Sequence, residues 1–263
     1  MSNIISAAGV IILQQDTAEE NFKVLLLKRN PALKVHGGNW VFPGGKFDAQ
    51  DFAVIKRNPI EIDIKNPPEL SAEDLLQVAT EAACRETLEE AGITLTHPAL
   101  KLHSRWLSPA KLSKRFDTHF FTTLLPALPS DGINPTQVIV DGSEIIDFQW
   151  ISPASAIVRL NENQLPMPPA TYVTLVKLAQ YQQAEQAIEA LCRKPVYYRP
   201  KLMSTEDGLC SLYEEDSGYL TENHHANDKL HRLKINAGKY EYISNIVPER
   251  KVGRSEVDPS AQD

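Results

Sequence analysis

Few cysteines and no long apolar run are present in this chain, and both absences narrow what it can be. Its three cysteines, Cys84, Cys192 and Cys210, are an odd number with no C-x-x-C pair. We therefore expect neither a disulfide framework nor a cysteine zinc site, and we expect a reducing compartment. No stretch approaches the roughly 18 apolar residues of a membrane span, and the N-terminal residues lack the basic segment of a signal peptide. The cytoplasm is the expected location, without a membrane partner.

Positive charge is also scarce. The chain of 263 residues has 27 Lys and Arg against 34 Asp and Glu, a net charge of −7. This balance argues against a surface that coats nucleic acid, although a local cationic pocket for a phosphorylated small molecule stays possible. An acidic protein that acts on such a molecule needs a metal ion or a few well-placed cations, so clustered carboxylates and local groups of Lys and Arg are the features of interest.

Hydrophobic patterns predict both strands and helices. Apolar runs at residues 7–13 and 22–29 indicate a β-hairpin, and further strands are expected in "LHSRWLSP", "FDTHFFTTLLP" and "IIDFQWISP". The strongest helix pattern starts at Ser71, a typical N-cap, and ends before Gly92. Another helical region is expected from Pro168 to about Arg193.

The C-terminal part has a different character. From Lys194 the sequence is polar, and "HRLKINAGKYEYI" predicts a hairpin that turns at residues 236–238. We expect a main domain at residues 1–193, a β-rich extension at 194–251 and a disordered tail at 252–263.

An acidic cluster lies at the C-terminal end of the predicted helix. Glu81, Glu86, Glu89 and Glu90 occupy its second half, where the helix dipole disfavours negative charge. One interpretation is a solvated face partly neutralised by Arg85. The other is a site for a hard cation such as Mg²⁺ or Mn²⁺, which takes oxygen ligands. Spacing alone leaves both open.

The segment "RETLEEAGI", residues 85–93, resembles the second half of the Nudix box, G-x5-E-x7-R-E-U-x-E-E-x-G-U, where U is a bulky aliphatic residue. Gly45 in "FPGGKFDAQDF" takes the first glycine, and Asp51 stands where the family has its first glutamate. Thr87 replaces the first aliphatic residue. The pattern allows seven residues before the arginine, but 33 separate Asp51 from Arg85, so the box is split by an insertion of 26.

This resemblance implies a fold and a chemistry. The expected fold is α+β, an α/β/α sandwich around a mixed sheet, with the β-rich C-terminal extension added to it. The family hydrolyses a diphosphate linked to another group, using Mg²⁺ or Mn²⁺. It implies that Glu86, Glu90 and Glu89, with the Gly45 carbonyl, bind the metal and that Arg85 orients a glutamate without touching substrate. The insertion, about residues 52–70, has no implied role.

A further catalytic acid is implied near the strand that carries Trp150. Glu144 lies six residues before Trp150, a spacing similar to that of family members in which this acid is a metal ligand or general base. The alternative is a surface residue at the strand edge. Asp141 and Asp147 are weaker candidates, because the general base varies across the family.

A narrower resemblance points to the peroxisomal coenzyme A diphosphatases, whose Nudix box is also split. It rests on Gly38 four residues before the FPGG phenylalanine, on "RFDTHFF" and "PPATY", and on "DGLCSLYEEDSGY" in the extension. The implied reaction cleaves coenzyme A or acyl-CoA to 3′,5′-ADP and (acyl-)phosphopantetheine. Since the sequence given ends without a peroxisomal tripeptide, we expect a bacterial, cytoplasmic relative.

Coenzyme A would need cations for its 3′-phosphate. Candidate residues are Lys28, Arg29 and His36 before the box, and Lys114 and Arg115 further along. His119 alternates with phenylalanines that are expected in the core, and one interpretation is that it simply faces solvent.

Two alternatives stay open. Another substrate, such as ADP-ribose or a dinucleotide, fits the same chemistry, and a non-catalytic nucleotide-sensing Nudix domain is a further possibility. A small nucleotide-diphosphate partner is expected, and nucleic acid is not. A homodimer stays open.

Overall fold

Two apolar runs near the N-terminus form the centre of the structure, a computed structural model that describes residues 4–16, 21–64, 67–126 and 137–246. They belong to a mixed eight-stranded sheet with the path β3-β2-β1-β6-β5-β8, while β4 pairs with β1 and β7 with β2. The β1–β6 and β5–β8 pairs are parallel and the others are antiparallel. The strands are β1 (Ile4–Asp16), β2 (Asn21–Arg29), β3 (Trp40–Val41), β4 (Gly44–Lys46), β5 (Lys101–Leu107), β6 (Arg115–Leu125), β7 (Ile145–Ile151) and β8 (Val196–Tyr198).

Helices cover both faces of this sheet because its strands are apolar on both sides. The α-helices are α1 (Ala72–Ala91), α2 (Pro153–Asn161), α3 (Pro169–Leu178) and α4 (Ala184–Cys192). Along β1, Val10 and Ile12 pack with α1, whereas Ile11 and Leu13 pack with the other three helices. The predicted α/β/α sandwich of the α+β class is confirmed.

The predicted hairpin of β1 and β2 is confirmed, and so is the helix that carries the acidic cluster. Ser71 caps α1 by accepting the Asp74 N–H at 3.1 Å, and Gly92 ends it with φ of 70°. Helix α2 was not predicted, because its start was read as the end of the preceding strand. The signal was present, since Ser152 accepts the Ser155 N–H as an N-cap and Pro153 follows it.

The insertion within the box packs beside α1. It contains short 3-10 helices at Ala49–Ile55 and Pro59–Glu61, and no α-helix among its described residues. Phe52 is buried in the core between α1 and the sheet. Asp48 begins the first 3-10 helix in a reciprocal capping arrangement with Asp51. The start of the insertion is therefore held against α1 by this cap and by the buried Phe52.

A second, antiparallel sheet follows in the order β12-β11-β10-β9. Its strands are β9 (Lys201–Thr205), β10 (Gly208–Leu212), β11 (His231–Asn236) and β12 (Lys239–Ser244). It packs on α3, where the Tyr172 hydroxyl donates to the Tyr240 carbonyl at 2.9 Å. The β-rich extension is thus confirmed as structure. The boundary at residues 193 and 194 stays a prediction, and β8 on its far side pairs with β5 in the large sheet. The predicted tail at 252–263 lies outside the described residues.

Candidate active site

The glycine turn "FPGG" sets the floor of the site. Gly44 and Gly45 pair with Gly9 and Ala8 of β1, and the Val10 N–H donates to the Pro43 carbonyl at 2.8 Å. A Cβ at position 44 would overlap the Ala8 backbone, and φ there is 151°. A Cβ at position 45 would overlap a glutamate carboxylate of α1. At position 44 only glycine fits, whereas at position 45 a larger residue would have to displace that carboxylate, the movable end of a side chain.

That carboxylate belongs to Glu86, one of three acids that α1 brings to the turn. Glu86 is mostly buried, and burial raises its pKa against the opposing effect of Arg85. Repulsion from Glu89 and Asp51 also raises it. The Glu89 side chain is 53% exposed and lies 2.9 Å from Arg85 Nη1. One nitrogen of Arg85, Nη1, therefore donates to the carboxylates of both Glu86 and Glu89.

Glu90 is the most enclosed of the three glutamates on α1. Its Oε2 accepts the Gly44 N–H at 2.8 Å, and its Oε1 lies 3.4 Å from Arg29 Nη1. Burial raises the pKa of Glu90 to about 8, and repulsion from Glu86 and Glu144 adds to it. The hydrogen bond and Arg29 only partly oppose this shift. In the ion pairs of the described residues, Arg29 and Arg85 are shared by five carboxylates, those of Asp51, Glu86, Glu89, Glu90 and Glu144.

Arg85 joins the two halves of the split box. Its Nε and Nη2 donate to both carboxylate oxygens of Asp51, at 2.8 and 3.0 Å. Nη2 also donates to the Lys46 carbonyl at 2.9 Å. Asp51 is fully buried, and its Oδ2 accepts the Asp48 N–H at 2.7 Å. This arrangement fixes Arg85 beside Glu86, as the predicted orienting role requires. The Lys46 carbonyl is a partner that the sequence did not indicate.

Thr87, the departure from the aliphatic position, is fully buried. Its hydroxyl donates to the Ala83 carbonyl at 2.7 Å, so burial leaves no unpaired polar atom. The replacement is therefore compatible with the helix.

Glu144 lies at the open side of the site. Its Oε2 is 3.3 Å from Arg29 Nη2, and its side chain is 61% exposed. Asp141 accepts the N–H groups of Glu144 and Ile145 at 2.9 and 2.8 Å, so it holds the turn that presents Glu144. Asp147 accepts its neighbour's N–H on the exposed edge strand. Of these three acids, Glu144 is the one placed beside Arg29 and Glu90.

The predicted substrate cations do not form one group. Arg29 lies among the carboxylates, between Glu90 and Glu144. Lys28 lies over the ring of Trp40, with Nζ 5.8 Å from the centroid. His36 is exposed in a turn with φ of 54°. Their substrate roles stay predictions.

The other two cations belong to the hairpin of β5 and β6. Lys114 Nζ lies 5.4 Å from the centroid of Phe116, and Arg115 Nε donates to the Ser108 carbonyl at 3.2 Å. The interpretation that His119 faces solvent is wrong, because its exposure is 5%. Strand β6 is internal to the sheet, so alternation did not place this side chain in water. The sequence did not single out Arg105, which pairs with His119 across the two strands.

A divalent cation is the group implied for this site. Among the described residues, no three His, Cys, Asp or Glu side chains are assembled in an arrangement ready to hold a metal ion. The donor chemistry nevertheless fits, since the carboxylates of Glu86, Glu89, Glu90 and Glu144 are grouped with only two arginines beside the glycine turn. Oxygen donors with uncompensated charge suit Mg²⁺ or Mn²⁺. The metal-binding role of Glu86, Glu89, Glu90 and Gly45 stays a prediction.

Comparison with known proteins identifies the domain. Residues 76–171 match the model of the NUDIX domain, from a point beyond the insertion. The acyl-coenzyme A diphosphatase NUDT19 of Xenopus laevis is 23% identical over 336 aligned positions, which cover 90% of this chain and 87% of that protein. The peroxisomal coenzyme A diphosphatase ndx-8 of Caenorhabditis elegans is 43% identical over 53 residues, 20% of this chain and 23% of that protein.

A solved structure has the same fold. The NUDIX hydrolase from Alicyclobacillus acidocaldarius superposes with a TM-score of 0.58 at 20% identity, covering 74% of this chain and 100% of that one. No helix in the described part of this chain is long and apolar enough to cross a membrane. Residues 76–171 are thus similar to a NUDIX domain, and the chain is similar to proteins named as coenzyme A diphosphatases.

Proposed function

We propose that this Nudix-domain chain is a metal-dependent diphosphatase that hydrolyses coenzyme A or acyl-CoA to 3′,5′-ADP and (acyl-)phosphopantetheine. The observation that carries the hydrolase is the group of carboxylates around the glycine turn, with the buried Glu90 at its centre. Carboxylates that outnumber their cations around one turn are suited to a divalent ion, and such an ion neutralises an anionic diphosphate.

Each residue of the site has a distinct role in this proposal. Glu86, Glu89 and Glu90 would hold the cation, with the Gly45 carbonyl beside them. Arg85, anchored on the buried Asp51, positions Glu86 and does not touch substrate.

The hydrolysis step involves a water molecule and one phosphorus–oxygen bond. Water attacks one phosphorus of the diphosphate, the bridging bond breaks, and two phosphomonoesters result. A bound divalent cation would acidify water and stabilise the charge on the leaving oxygen. Glu144 would accept the proton of the attacking water, since it is exposed at the mouth of the site and lies near Glu90. Arg29 contacts both acids, so its guanidinium is a cation available at the site for the substrate phosphates.

The substrate assignment rests on the curated relatives, two of which are named for acyl-CoA or coenzyme A. One of them is 23% identical to this chain, and the other matches only 20% of it. The hydrolysis of a diphosphate therefore rests on the site, and the choice of coenzyme A rests on these relatives. A cytoplasmic location, a homodimer and a bacterial source likewise stay predictions. Turnover of a panel with Mg²⁺ tests the substrate: coenzyme A, acetyl-CoA, ADP-ribose and a dinucleoside polyphosphate, with products separated by chromatography. Release of 3′,5′-ADP from coenzyme A is expected. Turnover of ADP-ribose without that product would replace this substrate with the alternative.

A further inference from the structure

A polar strip lies on the α1 side of the sheet, beyond the carboxylates. We call it the β5–β6 face, and its residues are Arg105, Arg115, Asp117, His119 and Tyr197. Arg105 donates through Nε and Nη2 to both oxygens of Asp117, at 2.8 and 2.7 Å. Its guanidinium carbon lies 4.8 Å from the centroid of Tyr197. Asp117 and Tyr197 therefore hold the Arg105 guanidinium in a fixed position.

Strand pairing aligns this face with the catalytic turn. Ala8 of β1 pairs with Gly45 on one side and with His119 on the other, and His119 pairs with Arg105. Directly paired residues point to the same side of a sheet, which at Gly45 is the side of the Glu86 carboxylate. With strands about 4.8 Å apart, His119 lies roughly 10 Å and Arg105 roughly 14 Å from Gly45 along the sheet. That separation suits the two ends of a nucleotide, one at each site.

The charge of this face is opposite to that of the catalytic carboxylates. Arg105 and Arg115 lie on it, Lys111 and Lys114 are exposed on the adjoining hairpin, and Asp117 is the acid among them. Arginine presents a planar fork of donors that matches phosphate oxygens. Within the described residues, Arg105 Nη1 and both terminal nitrogens of Arg115 have no hydrogen-bond partner. Donors therefore remain for an anion.

A second observation is the imidazole of His119. It is 5% exposed, and its Nδ1 has no hydrogen-bond partner among the described residues. Burial, and then Arg105, lower its pKa to about 4, so the ring is neutral near pH 7. An unpaired buried nitrogen on a residue that pairs across the strands with Arg105 marks a place that a polar group of a ligand can fill.

We propose that the β5–β6 face binds a phosphomonoester on the nucleotide half of the substrate, with Arg105 and Arg115 as its specificity-determining cations and His119 beside the neighbouring sugar. This inference rests on the proposed function, in which the 3′-phosphate of coenzyme A is that group. In this proposal, the two arginines give an acidic protein its preference for coenzyme A over diphosphates that lack a 3′-phosphate.

The test compares coenzyme A with dephospho-coenzyme A, which has the same diphosphate and lacks only the 3′-phosphate. Charged hydrogen bonds to the phosphate predict a kcat/KM roughly tenfold to hundredfold higher for coenzyme A. Arg105→Gln should remove this preference and leave dephospho-coenzyme A within about twofold of wild type. Arg115→Gln is the second variant if Arg105→Gln does not fold. Arg159→Gln is the matched control, since Arg159 bonds Gln149 from α2 on the other side of the sheet.

Binding separates this proposal from the proposed function. Calorimetry with wild-type protein should give tighter binding of 3′,5′-ADP than of 5′-AMP by a similar factor. Tighter binding of 3′,5′-ADP without hydrolysis of coenzyme A would sustain the phosphomonoester site and refute the diphosphatase. Hydrolysis of coenzyme A with equal kcat/KM for dephospho-coenzyme A, and equal binding of the two nucleotides, would overturn the site and leave the diphosphatase intact.

Discussion

Two buried Arg–Asp pairs, one in each sheet region, have nearly the same geometry and different surroundings. Beside the large sheet, Arg85 donates to both oxygens of Asp51 at 2.8 and 3.0 Å. In the extension, Arg232 donates to both oxygens of Asp216 at 2.8 and 2.7 Å. Both aspartates are fully enclosed. The pairs differ in what surrounds each arginine.

Around Arg232 the charges and donors are locally balanced. Its Nη1 donates to the His224 carbonyl, and its Nη2 donates to the Ala226 carbonyl as well as to Asp216. Asp216 also accepts the N–H groups of Gly218 and His231. Around Arg85, by contrast, two further glutamates compete for one nitrogen, and a third carboxylate nearby has a raised pKa. In the extension, the Arg232–Asp216 pair therefore holds a loop whose charges are already paired. Beside the large sheet, the Arg85–Asp51 pair supports an acidic site that needs an added cation.

Removing a carboxylate of the acidic site should have the largest effect. Glu86→Gln and Glu90→Gln keep the shape of the side chain and remove its charge. We expect turnover to fall on the order of 10²–10³-fold or more, as for loss of one preorganised electrostatic group. The fold should persist, which circular dichroism can check. Wild-type turnover in either variant would refute the role of that glutamate.

Breaking the Arg85 pair should reduce both activity and stability. Asp51→Asn leaves Arg85 free to move from Glu86, so kcat should fall about 10–100-fold, as for other residues that orient metal ligands. Loss of the buried charge should also lower the free energy of unfolding by about 3–5 kcal/mol. A variant that loses stability but retains wild-type kcat would show that Asp51 has only a structural role.

Alanine substitutions at the two glycines of the turn should have different effects, one mainly on turnover and the other mainly on stability. Gly45→Ala places a methyl group against the Glu86 carboxylate, the movable end of a side chain. It should reduce turnover about tenfold or more through that displaced ligand. Gly44→Ala meets backbone at a φ of 151°, so it should destabilise by about 1–3 kcal/mol. Equal activity of Gly45→Ala and wild type would contradict the placement of Glu86.

The pair in the extension should affect stability alone. Burial raises the pKa of Asp216, but hydrogen bonds from Arg232, His231 and Gly218 outweigh it and hold the pKa below its usual value. A depressed folded pKa stabilises above the unfolded value of about 3.9, and this contribution is lost as pH falls through the folded pKa. Asp216→Asn should therefore lower Tm at pH 7, by a difference that shrinks below about pH 4, with kcat unchanged. A large loss of kcat would instead link the extension to the site.

The sequence predicted the grouping of the α1 glutamates because these residues are close along one helix, whereas their metal-binding role stays a prediction. The helical repeat placed Glu86 and Glu90 on one side of α1, and the glycine pair predicted a tight turn. The partners that cross the chain could not be predicted in this way. Arg29 reaches Glu90 only because β2 lies next to β7 and near the end of α1, which is a property of the whole sheet.

The polar strip shows the same limit. Alternation in "RFDTHFF" correctly separated two sets of side chains on β6, yet it could not tell which set faces water. Burial of His119 depends on strands on both sides and on the register with Arg105. Helix α2 was missed for a local reason, since a strand ending in Ser-Pro and a helix beginning there look alike.

The central claim is that the carboxylates around Gly44 and Gly45 hold a divalent cation that supports hydrolysis of a diphosphate. The most direct measurement is product formation from coenzyme A with Mg²⁺, with EDTA in excess, and by Glu90→Gln with Mg²⁺. The account predicts 3′,5′-ADP and phosphopantetheine in the first reaction and almost none in the other two. Equal product formation with EDTA, or by Glu90→Gln, would contradict it.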